Sequence, residues 1–447
     1  MYSDEIESML QKEKIKISDK IRIEKDDTAY EGLLMPKSAG SEDTLIIKLD
    51  NGYNVGISMP VKIKKLESGK PVKAPIVKKE QKPDKSKPLI SILSTGGTVA
   101  SKIDYKTGAA YPAFTPEELF SAVPELKEIA NFNIHLVFQM YSGDMEPEHW
   151  VLLAKRIFEE MEEVSPDGII ITHGTDTMTY TAAALSFMLQ DLPIPVILVG
   201  AQRSSDRGSS DTQLNLICAA RFISESAFSG VAICMHGSIE TDYCLIHPGL
   251  HVKKMHSARR DTFRSIDVLP YAEVRQDGEI KFLRQDYVRK DKSKKVHLVG
   301  RFDRRIGLVK IYPGIDYRIF DFFLENGYRG LLLEGTGLGN APVNVLDEYT
   351  QHHKDLLDNI KKLVEKGVVV AMVTQTPYGK VNMNVYSYGR KLLDVGVIPL
   401  AMTSEAAYVK LGWVLGHTRD SEEAKQMLQK NYVGEFIERI NERAFLF

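Results

Sequence analysis

Gly168-Ile169-Ile170-Ile171-Thr172-His173-Gly174-Thr175-Asp176-Thr177-Met178 is the stretch on which the fold turns. The apolar, β-branched run at 168–172 reads as a strand buried on both faces. A short polar loop follows, and then an Ala-rich helical segment beginning near Met178. Strand, polar loop and helix in this order form the unit of a parallel α/β sheet. In such sheets ligands sit at the carboxyl ends of the strands, so the loop 173–177 is placed where chemistry is done.

The same unit recurs on both sides. Residues 89–93 form an apolar strand that runs into Thr95-Gly96-Gly97-Thr98. Thr115-Pro116-Glu117-Glu118 carries a helix-start signal, with Thr as cap and Pro in the first turn. Further strands are expected at 134–138, 195–200 and 231–235, with a helix at 146–164 and a polar loop from Arg203 to Asp211 leading into another. Residues 271–305 read as irregular and partly basic. A second α/β unit follows, with strands at 306–311, 330–333 and 368–373 and helices at 344–366 and 404–415. The expected fold is α/β, with a domain at 89–290, another at 306–447, and parallel sheets in both.

Upstream the period changes to two. Residues 1–63 open with a short polar helix and continue as alternating stretches at 20–24, 30–34, 44–49 and 55–63, with the hairpin signal Asn51-Gly52 between the third and fourth. A small all-β domain, an SH3-like barrel, is expected there. Residues 64–88 hold nine lysines, three acids and four prolines, the composition of an extended tether.

The bulk properties narrow the function. Of 447 residues 43% are hydrophobic, enough for large cores, and 58 basic against 60 acidic side chains give a net charge of −2. A globally basic nucleic-acid binder is excluded, so any RNA contact is local or made through a partner. Three cysteines, Cys218, Cys234 and Cys244, without a C-x-x-C, argue for a reducing compartment and against a disulfide scaffold. The acidic N-terminus has no signal-peptide core and no apolar run is long enough to span a membrane, so a cytoplasmic protein is expected.

Three polar loops end buried strands on one edge: Thr95–Thr98, Ser142-Gly143-Asp144-Met145, and His173–Asp176. Their hydroxyls and carboxylates converge by topology. The glycine pair before Thr98 frees backbone N–H groups to face a developing oxyanion. A threonine hydroxyl needs a base to take its proton, and Lys254, Asp176, Asp144 and His173 are the candidates. Taken alone, Thr-Gly-Gly-Thr is a tight turn, and Gly335-Thr336-Gly337-Leu338-Gly339 is a turn without the spacing of a dinucleotide loop. His173 is expected to pack structurally.

Thr95-Gly96-Gly97-Thr98-Val99-Ala100 resembles the first signature of bacterial-type L-asparaginases, and the stretch 168–178 resembles the second. The similarity runs from about residue 89 to 447. It implies that Thr98 is the nucleophile, with Gly97 beside it, and that Tyr111 closes over the substrate. It also implies that Ser142, with Asp144 two residues on, binds the substrate's α-carboxylate end. Thr175 and Asp176 match the second catalytic threonine and its aspartate, and Lys254 matches the lysine of their charge network. Desolvation would suit Lys254 to act as base while pairing with Asp176 opposes it, so the proton path stays open, as does binding of the α-amino group by Asp176.

The N-terminal β-unit, the tether and the loop from Arg203 to Asp211 resemble the GatD family of archaeal glutamyl-tRNA(Gln) amidotransferases. That resemblance implies a glutaminase working with a GatE partner in a heterotetramer with two copies of each, around a homodimer core. It implies no cofactor in this chain, with ATP and Mg used by the partner, which also carries most of the Glu-tRNA(Gln) contact. The rival readings are a free-standing L-asparaginase, and a non-catalytic RNA-binding scaffold that keeps an enzyme fold.

Overall fold

The computed structural model describes residues 2–17, 19–35, 42–49, 54–68, 84–96, 101–103, 110–112, 123–203 and 210–447. The hairpin signal at Asn51-Gly52, the helix start at Thr115, most of the tether and residues 204–209 lie outside them.

At the N-terminus, helix Asp4–Lys12 buries Ile6 and Leu10 against one face of a five-stranded antiparallel sheet. The strands are β1 (Lys20–Lys25), β2 (Thr28–Leu34), β3 (Thr44–Lys48), β4 (Asn54–Ser58) and β5 (Lys62–Glu67), in the order β4-β3-β2-β1-β5. Ile21, Ile23, Leu34, Leu45 and Ile47 are fully buried beneath it. Alternation of period two puts these on one face and leaves the charges outward.

The main sheet contains β6 (Leu89–Gly96), β9 (Asn131–Met140), β10 (Gly168–Thr172), β12 (Pro195–Val199), β13 (Gly230–His236), β14 (Tyr243–Pro248), β17 (Ala272–Arg275) and β18 (Ile280–Phe282). Small two-stranded ribbons are β7 (Ser101–Ile103) with β8 (Ala110–Pro112), β11 (Leu189–Gln190) with β19 (His297–Leu298), and β15 (Val252–Lys254) with β16 (Phe263–Ser265). The eight strands lie in the order β18-β17-β14-β13-β12-β10-β6-β9. From β9 to β13 all neighbours are parallel. From β13 to β18 they are antiparallel. The sheet is therefore mixed where a parallel one was expected. The loop 237–242 between β13 and β14 is too short for a crossover, which needs a dozen residues or more, so β14 returns as a hairpin.

The parallel part places the site. In chain order its strands are first β6, then β9, β10, β12 and β13, and in space they read 2-1-3-4-5. The chain leaves β6 toward one side and comes back on the other, so the switch point lies between β6 and β10. A crevice opens outside the carboxyl ends of two such strands.

The second domain has four parallel strands, β20 (Ile306–Lys310), β21 (Gly330–Gly335), β22 (Val369–Thr374) and β23 (Ile398–Pro399), in chain order. Helices Met178–Met188 and Ser404–His417 pack together between the two sheets. Both are apolar nearly all round, as TAAALSFM and AAYVKLGWVL show, and such helices are stable only when covered on every side. Phe187 stacks on Trp413 at 5.7 Å and Tyr180 meets Tyr408 edge-on at 5.9 Å. Among the described residues no helix is long and apolar enough to cross a membrane.

Candidate active site

Strand β6 ends at Thr95 and Gly96. Thr95 is buried and its hydroxyl donates to the Thr172 carbonyl at 2.9 Å, tying the ends of β6 and β10 together. Gly96 has φ of 99°, and a Cβ there would lie 2.4 Å from the Met140 carbonyl oxygen. No other residue fits this crossing of β6 and β9 without moving backbone.

Beyond Met140, a short 3-10 turn spans Ser142–Asp144. Ser142 is buried and Asp144 is exposed. The loop after β10 packs directly on this turn. A Cβ on Gly174 would sit 2.6 Å from Ser142 Oγ, and Thr177 Oγ1 donates to the Ser142 carbonyl at 2.7 Å. Two loops far apart in the chain are thus held in contact by one glycine and one hydroxyl.

Thr175 is 7% exposed, whereas the Asp176 side chain is 75% exposed. Lys254, at the end of β15, reaches both. Its Nζ lies 2.9 Å from Thr175 Oγ1 and 2.7 Å from Asp176 Oδ1. An ammonium in this position donates to the threonine oxygen and leaves that hydroxyl's own proton to point into the crevice. Gly200, just past β12, keeps room behind the threonine: a Cβ there would be 2.7 Å from Thr175 Cγ2.

His173 stands apart from this chemistry. It is fully buried, its Nδ1 donates to the Gly174 carbonyl at 2.6 Å, and its Nε2 lies 2.8 Å from Thr181 Oγ1. Burial pushes its pKa down to about 4, so the ring is neutral and structural at ordinary pH.

Of the residues singled out in the sequence, Ser142, Asp144, Thr175, Asp176 and Lys254 are described, and Thr175, Asp176 and Lys254 form one connected cluster. Thr98 and Gly97 lie outside the described residues. Tyr111 is described in backbone only, paired with Lys102 in the β7–β8 ribbon that follows β6. Sequence reasoning did not single out Thr177, Gly200 or Asp211. Asp211 is buried and accepts from the backbone N–H of Gln202 and Arg203 at 3.0 Å, shaping the start of the loop after β12. Burial raises its pKa against the pull of those donors. Asp211 precedes helix Thr212–Glu225 without capping its first N–H groups, so the usual helix-start signal does not point to this role.

The comparisons bear on this geometry. A model described as Asparaginase, N-terminal, matches residues 89–287, and the Glutaminase/Asparaginase C-terminal domain model matches 305–428. The GatD N-terminal domain model matches residues 15–66. The GatD component of glutamyl-tRNA(Gln) amidotransferase from Pyrococcus furiosus is 48% identical over 449 residues, covering 99% of both chains. The chain belongs to the GatD family of glutamyl-tRNA(Gln) amidotransferases. A family member of the same name from Methanothermobacter thermautotrophicus is 44% identical, with 98% of each chain covered. Among solved structures, the thermostable L-asparaginase from Thermococcus kodakarensis is 30% identical with a TM-score of 0.67, covering 78% of this chain and 99% of that one. L-asparaginase I from Vibrio cholerae is 31% identical with the same TM-score and coverage. The asparaginase models begin at residue 89, and the GatD family adds the β-domain before it.

Proposed function

We propose that this chain is the glutaminase subunit of a tRNA-dependent amidotransferase. It hydrolyses glutamine and supplies the ammonia with which a partner subunit converts Glu-tRNA(Gln) to Gln-tRNA(Gln). The observation that carries the reading is the match to GatD proteins over nearly the whole length, β-domain included. A free-standing L-asparaginase accounts for the two α/β domains and leaves residues 15–66 without a use.

In this reading the partner is GatE, which consumes ATP with Mg and carries most of the tRNA contact. Two copies of each protein assemble around a homodimer of this chain.

The chemistry divides among this chain's residues. Thr98 Oγ attacks the side-chain amide carbon of glutamine, its proton passing to a base in the crevice. Backbone N–H groups near Gly97 and Thr98 hold the oxyanion. The C–N bond breaks, the nitrogen takes a proton and leaves as ammonia, and glutamate remains as an ester on Thr98. Water adds to that ester near Thr175, whose hydroxyl is held by Lys254, and glutamate departs. Ser142 and Asp144 anchor the α-carboxylate end, Asp176 places Lys254, and Tyr111 closes the site. The contact of the Ser142 turn with the Gly174 loop supports this, since it sets substrate-holding and reacting groups at a fixed spacing.

The test is ammonia release from glutamine and from asparagine, by the chain alone and with its partner and glutamate-charged tRNA. Glutamine turnover that needs partner and tRNA is expected. Asparagine turnover by the chain alone, indifferent to RNA, would establish the asparaginase instead. Thr98→Ala should abolish release from either amide, and turnover retained in that variant would remove Thr98 from its role.

A further inference from the structure

Lys253 and Lys254 are neighbours on β15, so their side chains leave opposite faces of the strand. Lys254 turns toward Thr175 and Asp176. Lys253 turns toward the second domain, where its Nζ lies 2.5 Å from Glu405 Oε1. Glu405 is the second residue of helix Ser404–His417 and is 9% exposed.

Among the described residues β15 pairs only with β16, and a two-stranded ribbon is marginal by itself. Its position is set by what grips it. His251 Nε2 donates to the Gly434 carbonyl at 2.8 Å, and Ile266 N–H donates back to the His251 carbonyl at 2.8 Å. These hold the base of the ribbon. At its far end Phe263, paired with Lys254, is buried in the main core, and the Lys253–Glu405 ion pair adds a tie from this end of β15 to the second domain. Glu405 Oε2 is buried with no hydrogen-bond partner among the described residues. The carboxylate is thus committed to one cation, and neutralising it frees Lys253 to turn to solvent.

We propose that Glu405 is a positioning residue for amide hydrolysis: through Lys253 it fixes the end of β15 and so holds the Lys254 ammonium against Thr175 and Asp176. The inference rests on the glutaminase reading of the Lys254 cluster. It assigns a role in the first domain's chemistry to a residue of the second domain that touches neither substrate nor reacting atom. A displacement of about 1 Å at a reacting group costs up to a hundredfold in rate, so a grip one residue away matters.

The experiment uses the full chain in its complex and reads ammonia release from glutamine. Glu405→Gln and Lys253→Met should each lower kcat about tenfold with KM within about twofold, the signature of misplaced chemistry and not of lost binding. The double variant should be no slower than either single one, because the pair acts as a unit. Lys253→Arg, whose guanidinium still reaches the carboxylate, should keep most of the rate. Unchanged kcat in Glu405→Gln, or losses that add in the double variant, overturns the proposal. Should Glu405→Gln not fold, Lys253→Met on the partly exposed ribbon carries the same expectation. Lys254→Met is measured alongside. If it keeps full turnover, the glutaminase assignment of the cluster fails. If it loses turnover while Glu405→Gln keeps it, only the positioning role fails.

Discussion

Lys254 donates to the Thr175 hydroxyl at 2.9 Å from a strand that begins 77 residues later in the chain (252 − 175). The same ammonium holds Asp176, whose carboxylate is mostly in water. The contact therefore orders a hydroxyl more than it stabilises the fold.

Lys254→Met should lower kcat/KM for glutamine by about 10²- to 10³-fold, the range of a lost electrostatic donor in a reacting site. An ion pair so exposed on one side is worth at most about 1 kcal/mol, so thermal unfolding should move by only a few degrees. Steady-state ammonia release and a melting curve on the same preparation check both halves. A large drop in the melting point with proportionate loss of rate would mark Lys254 as structural.

Gly174→Ala drives a methyl into Ser142, whose Oγ would be 2.6 Å and backbone N 3.1 Å away. The turn Ser142–Asp144 must shift, and with it the proposed carboxylate anchor. We expect KM for glutamine to rise by about tenfold, since each 1.4 kcal/mol of lost binding is a factor of ten. Titration with a glutamate analogue reads the affinity directly, and unaltered binding would disconnect this turn from the substrate.

Three buried histidines make the main sheet acid-labile. Burial pushes His173 and His236 to about 4 and His247 to about 3, all below the usual 6.5. Above pH 6.5 both folded and unfolded chains carry them neutral. As pH falls below 6.5 the unfolded chain takes up protons that the folded chain refuses, so stability declines until the folded values are reached. The loss approaches roughly 3 kcal/mol per histidine at the acid end. Chemical denaturation at intervals between pH 7 and 4 should show the decline. His247→Gln should remove about one proton from its slope, and a slope unchanged by that variant would clear His247 of the effect.

Lys410 and Glu435 are both fully buried and lie 2.7 Å apart, with Lys410 also donating to the Lys430 carbonyl and Glu435 accepting from Tyr432 and Val433 N–H. Breaking one partner leaves the other charge uncompensated, so Lys410→Met should cost about 3–5 kcal/mol. Urea unfolding measures it. A cost under 1 kcal/mol would mean that water reaches the orphaned carboxylate.

The most legible part of the chain was β10 and its loop. Ile169, Ile170 and Ile171 are buried on both faces, and a run of β-branched residues bounded by glycine and polar residues admits little else. Helix Met178–Met188 announced its burial by composition, but nothing local says that its cover is a helix more than 200 residues on. The strands Ala272–Arg275 and Ile280–Phe282 passed as irregular because three or four residues carry too few alternations to show a period. The helix expected from 344 starts at His353 instead, after a turn in which Asp347 accepts from Tyr349 and Thr350 N–H. Its apolar spacing runs on through that turn, so the pattern hid the cap. Gly96 was read as freedom for an oxyanion donor, and the structure gives it a tighter reason in the Met140 backbone. Lys253 and Glu405 are 152 positions apart, a separation across which no spacing argument reaches.

That separation also sets an order in time. A chain made from its N-terminus has its polar loops and Lys254 in hand when residue 265 emerges, but Glu405 and the helix that covers Met178–Met188 come well over a hundred residues later. Domains fold as units as they appear, and this first domain lacks one wall of its core until the second arrives. A nascent or truncated chain therefore has the reacting groups without their support. The ability to set ammonia free therefore waits for the second domain to be made.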